Sequence, residues 1–60
     1  MTYKVYFINF SYYSDNSSDT LEGAKKIAVK AGFQSQIEKH DGSNKEIVLV
    51  YSATTGFRKW

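Results

Sequence analysis

Tyr3-Lys4-Val5-Tyr6-Phe7-Ile8-Asn9-Phe10 is the stretch on which the fold turns. Aromatic and β-branched residues dominate it, and such side chains suit a pleated surface, so it reads as a strand from Tyr3 to Phe10. Alternation puts Tyr3, Val5 and Phe7 on one face and Tyr6, Ile8 and Phe10 on the other. Both faces are apolar, so whatever covers one leaves the other needing a cover of its own.

Working outward, Ser11 to Ser18 holds Tyr12 and Tyr13 in a run of Ser, Asp and Asn. Those side chains bond readily to the local backbone, and the segment reads as a polar loop. A helix is expected after Asp19, with Asp19 as its cap and Glu22 at the reciprocal capping position. Leu21, Ala24, Ile27, Ala28 and Ala31 recur at helical spacing and give it one apolar face. Lys25, Lys26 and Lys30 point elsewhere, and Glu22 and Lys26 are spaced for an i,i+4 pair. Gly23 counts against the helix, and Gly32 is placed to end it in the left-handed conformation. Phe33 to Lys39 alternates as a half-wetted edge strand does. His40 to Lys45 reads as a turn centred on Asp41-Gly42, and Glu46 to Ser52 as a strand apolar on both faces. The tail, Ala53 to Trp60, either prolongs that strand or turns at Gly56 and leaves Phe57 to Trp60 as a separate segment.

The expected fold is therefore α+β in the order β-α-β-β: one helix on a three-stranded mixed sheet, strand order 1-3-2. A crossover would make the first two strands parallel, and a split arrangement would set the third between them. The whole chain, 1–60, is one domain. At 60 residues such a domain buries only about 60% of its unfolded surface and has little stability to spare. With no cysteine and a single histidine, neither disulfides nor a zinc cluster can reinforce it. A partner chain is the remaining reinforcement.

The formal net charge is +2, and 17% of residues are aromatic. Nucleic-acid domains are commonly more lopsided in charge. Met1-Thr2-Tyr3-Lys4 lacks a signal-peptide pattern, and no apolar run approaches the ~18 residues of a membrane span, so a cytoplasmic chain without a membrane partner is expected. Two Asn-x-Ser triplets, at Asn9 and Asn16, then have no glycosylation to report.

No catalytic or metal motif stands out. His40, Asp41 and Ser43 crowd one turn and cannot converge on a substrate as nucleophile, base and orienter must. No cofactor is implied, and an enzyme is not the reading. With one helix covering one sheet face, the other would expose Tyr6, Ile8 and Phe10 or Tyr3, Val5 and Phe7. A patch of that kind marks an interface. Its cover would be a protein partner, a second copy in a homodimer, or the chain's own tail through Phe57 and Trp60. The candidate binding residues are Tyr6, Phe10, Tyr12, Tyr13, Phe57, Arg58 and Trp60, acting from the sheet face, the first-strand edge or the aromatic tail. The leading expectation is a protein-interaction module of the inhibitor or adaptor kind, such as phages and mobile elements encode. The alternative is a nucleic-acid-binding domain in which aromatics stack on bases and Lys4, Arg58 and Lys59 meet phosphates.

Overall fold

A computed structural model describes residues 1–60. The elements are β1 (Thr2–Phe7), β2 (Tyr12–Ser18), α1 (Leu21–Ala31), β3 (Ser35–Asp41), β4 (Asn44–Ser52) and β5 (Gly56–Lys59). All five strands form one sheet in the order β2-β1-β3-β4-β5, with every adjacent pair antiparallel. The α+β class holds. The three-stranded mixed sheet and the 1-3-2 order do not.

The difference originates at residues 8–18. The first strand stops at Phe7 rather than Phe10, because the amides of Phe10 and Ser11 both donate to the Phe7 carbonyl, at 3.2 and 2.9 Å. Ser11 adopts a left-handed φ of 57° and the chain reverses. The expected polar loop then returns alongside β1 as β2, pairing Phe7 with Tyr12, Tyr6 with Tyr13 and Tyr3 with Ser18. Beyond Tyr12 and Tyr13 its residues lack strand propensity, but an edge strand has little apolar surface to bury and needs mainly a neighbour with free backbone groups. The hidden reversal changes the direction of everything downstream. β3 enters antiparallel to β1, not parallel. The split crossover survives in altered form: β2 and β3 run parallel to each other on either side of β1, and α1 connects them. The first strand is thus internal and offers no edge, while the segment expected at the edge, β3, lies at the centre.

The helix is capped by Thr20, one residue later than expected: its hydroxyl accepts from the Gly23 amide at 3.1 Å. Asp19 lies outside the cap, and Glu22 pairs with Lys25 at 3.6 Å instead of Lys26. Gly32 ends the helix at φ 77°. The Thr20 amide donates to Ser18 Oγ at 3.2 Å, so the end of β2 and the start of α1 form one hydrogen-bonded corner. Gly23 sits against that corner. A Cβ there would overlap Ser18 Oγ and lie 2.8 Å from Ser18 Cβ.

The turn between β3 and β4 centres on Gly42-Ser43, one residue beyond the expected position, with Gly42 at φ 62°. Positive φ at the first central residue only is the type II′ pattern, which matches the twist of a hairpin. The tail does turn before Phe57, and residues 56–59 pair with β4 from Ser52↔Gly56 to Leu49↔Lys59.

The core lies between α1 and the sheet. Val5, Phe7, Ala24, Ala28, Ile37 and Tyr51 are buried, with Leu21, Ile27, Leu49 and Phe57 packed around them. Full burial of Val5 and Ile37 contributes about 1.5–3 kcal/mol each. The small Ala24 and Ala28 let α1 approach the sheet closely. No helix is long and apolar enough to cross a membrane.

Candidate functional site

The seven candidate residues do not form one platform. They divide among the sheet end beside the β1–β2 turn (Phe10 and Tyr12), the sheet face away from α1 (Tyr6, Tyr13 and Arg58), the helix side of β5 (Phe57) and the position after β5 (Trp60).

At the sheet end, shortening β1 takes Phe10 out of the sheet and into the turn. There it packs against Phe33, with ring centroids 4.8 Å apart, and lies 6.0 Å from Tyr12. Phe7 anchors the group from beneath, edge-on to Tyr12 and to Phe33 at 5.6 Å each. Phe7 is buried, whereas Phe10, Tyr12 and Phe33 are 50%, 53% and 43% exposed. Ile8 N donates to Gln34 O at 3.2 Å and ties the turn to the segment after the helix that carries Phe33. The result is an aromatic surface held in place yet open to solvent. Phe33 was not singled out from sequence, where it reads as the first inward residue of a strand. It joins this surface because β3 begins only at Ser35.

On the face away from α1, alternation from the buried Val5 and Phe7 places Lys4 and Tyr6 outward. Tyr6 meets Tyr13 edge-on at 4.9 Å, and Glu38 is opposite Lys4 in register. This is not the apolar face of Tyr6, Ile8 and Phe10 expected from the sequence, because Ile8 and Phe10 are outside the sheet. At its centre is a carboxylate. Glu38 is 7% exposed, and its Oε1 accepts from the Tyr13 hydroxyl at 2.8 Å and lies 3.0 Å from His40 Nε2. The hydrogen bond to the carboxylate, followed by partial burial and the carboxylate's charge, pushes the Tyr13 phenol up to about 12. Ionising it would set a phenolate against a carboxylate. His40 is therefore a half-buried strand residue and not a turn residue, while its neighbour Asp41 is exposed at the strand end. No group of three or more His, Cys, Asp or Glu side chains is placed to hold a metal ion. The cluster holds its side chains in place, and a cavity of about 290 Å³ beside Glu38 is lined by Lys45, Glu46 and Ile47.

The remaining candidates come from β5 and the residue after it. Arg58 is opposite Val50, and Phe57 opposite the buried Tyr51. Phe57 packs on Tyr51 at 4.8 Å, with Lys25 Nζ 5.3 Å from its ring centroid. Phe57 and Arg58 thus serve opposite sides of the sheet. Trp60 follows the last strand residue and is 74% exposed. It does not fold back as a cover.

Both sheet edges are poor templates for another strand. β5 is four residues long and carries Arg58 and Lys59, and β2 is interrupted by a register shift opposite β1 and bears Asp15. No protein-family profile, curated protein or solved structure matches the chain.

Proposed function

We propose that this chain is a protein-interaction module whose contact surface is the aromatic end formed by Phe10, Tyr12 and Phe33. The observation that carries the reading is that three large rings are about half exposed while packed on one another over Phe7. Rigid aromatics bury large areas at small entropic cost, and such clusters supply the anchors of protein interfaces. A small inhibitor or adaptor works with a surface of this kind and needs no cofactor.

Nucleic-acid binding through the opposite sheet face is less well supported. Tyr13 stands edge-on to Tyr6 and is tied to Glu38, which removes a free stacking plane, and the buried carboxylate repels phosphates.

The test replaces Phe10 and Phe33 together by serine in a tagged full-length chain. Wild type is expected to retain a stoichiometric protein partner, or a second copy of itself, after nuclease treatment. The double variant is expected to lose it while its circular dichroism and urea midpoint stay close to wild type. Equal capture by a folded double variant, or capture abolished by nuclease, refutes the reading.

A further inference from the structure

A second surface is set by how far α1 reaches. The helix lies across β2, β1 and β3, and β4 and β5 continue beyond it. Beside Phe57 of β5, the outer side of α1 is therefore left with a shallow, open trough of about 430 Å³. Val29, 52% exposed, and Phe57 supply its apolar surface. A β-branched apolar residue pointing outward from a helix weakens the helix slightly and is not needed for its core face.

Charge identifies what fits. Lys25, Lys26 and Lys30 line the trough with one carboxylate, Glu22. Glu22 lies 3.6 Å from Lys25, which is also 5.3 Å from the Phe57 ring centroid, and Lys26 and Lys30, with no acidic partner within 4 Å, leave the lining with an excess of two positive charges. We propose that this trough docks an acidic amphipathic segment of a partner protein, with its apolar side chains on Val29 and Phe57 and its carboxylates against Lys26 and Lys30. A second copy of the chain fits worse, since a two-fold contact through this patch sets lysines against lysines. A nucleic-acid base fits worse as well, because Lys25 already occupies a face of the Phe57 ring and Val29 offers no stacking plane.

The inference rests on the protein-binding reading but uses a surface separate from the aromatic end, so the two can fail independently. The probes are three 12-residue peptides: one with leucines at i, i+4 and i+7 flanked by glutamates, the same pattern flanked by lysines, and a scramble of the first. Binding is read by amide chemical shifts of the full-length chain. The glutamate peptide is expected to move the amides of Lys26, Val29, Lys30 and Phe57, and the other two to leave them in place. Val29→Ser and the pair Lys26→Glu with Lys30→Glu should each weaken binding at least tenfold with dichroism unchanged, whereas Phe10→Ser with Phe33→Ser should not. The inference is overturned if the lysine peptide binds as well as the glutamate peptide, if the shifts fall elsewhere, or if no peptide binds at millimolar concentration. Shifts at these residues that depend on protein concentration alone, or that an oligonucleotide reproduces, also overturn it.

Discussion

Gly23→Ala should destabilise this protein, although helix propensity alone says the reverse. In an exposed helix interior the change gains about 1 kcal/mol, because glycine loses more backbone freedom on folding than alanine does. Here the new methyl would overlap Ser18 Oγ and lie 2.8 Å from Ser18 Cβ. Rotating the hydroxyl away does not move the Cβ, so the end of β2 must shift. Overpacking of this kind costs about 1–3 kcal/mol. The shift also disturbs the Ser18–Thr20 hydrogen bond and the Thr20 cap, and losing a cap costs ~1 kcal/mol. The net expectation is a loss of about 1–3 kcal/mol, against a total stability of roughly 3–9 kcal/mol for a domain of this length. Urea unfolding followed by helical dichroism should show it as a midpoint lowered by about 1 M or more, taking a slope of ~1 kcal/mol/M for a small domain. Ser18→Gly in the alanine background removes both clashing atoms and should recover part of the loss, making the two substitutions non-additive. A midpoint that rises on Gly23→Ala, or strict additivity of the pair, would refute the reasoning.

Two further outcomes follow from the sheet. Tyr13 should titrate near pH 12, seen as the difference in phenolate absorbance between wild type and Tyr13→Phe, and Glu38→Gln should bring it back toward 10. Because the folded state holds this proton more tightly than the unfolded chain, the hydrogen bond's contribution is complete below pH 10 and lost as pH rises from about 10 to 12; a contribution that grew over that range would contradict the assignment. Ile37→Ala, at a fully buried position on the central strand, should cost about 2–4 kcal/mol in urea unfolding, and a cost under ~1 kcal/mol would mean the core does not centre there.

What could be read from the amino-acid order was whatever writes its own periodicity. Ala24 and Ala28 at helical spacing, Gly32 at the helix end and a reversal at Gly42 all speak through local chemistry and appear in the fold, the reversal centred one residue later than Asp41-Gly42. Tyr12 to Ser18 does not, because beyond its two tyrosines this edge strand is polar on both faces and has no alternation to display. Its strand character comes from β1, whose own need for a neighbour on each side was the available clue. That single omission reversed β3 and displaced the sheet order. It also hid the Tyr13–Glu38–His40 cluster, since Glu38 and His40 share a face by simple alternation but Tyr13 is 25 residues away in sequence. The aromatic residues stand out in the sequence as a class. The separation of Phe10 from Tyr6 follows from where β1 ends, and the placement of Phe57 from the pairing of β5 with β4.

The internal position of β1 has a consequence for how the chain assembles. The β1–β2 hairpin and the β3–β4–β5 meander are each built from near neighbours, and the backbone ladder joining them runs from Thr2↔His40 to Phe7↔Ser35. These partners are 28 to 38 positions apart, so the seam carries most of the loop-closure entropy and should set the folding rate. During synthesis Val5 and Phe7 emerge before Ile37 and wait for it before they can be enclosed. Until then the chain consists of a hairpin and a nascent helix with an apolar strand flank uncovered, and that interval is when it is most exposed to aggregation.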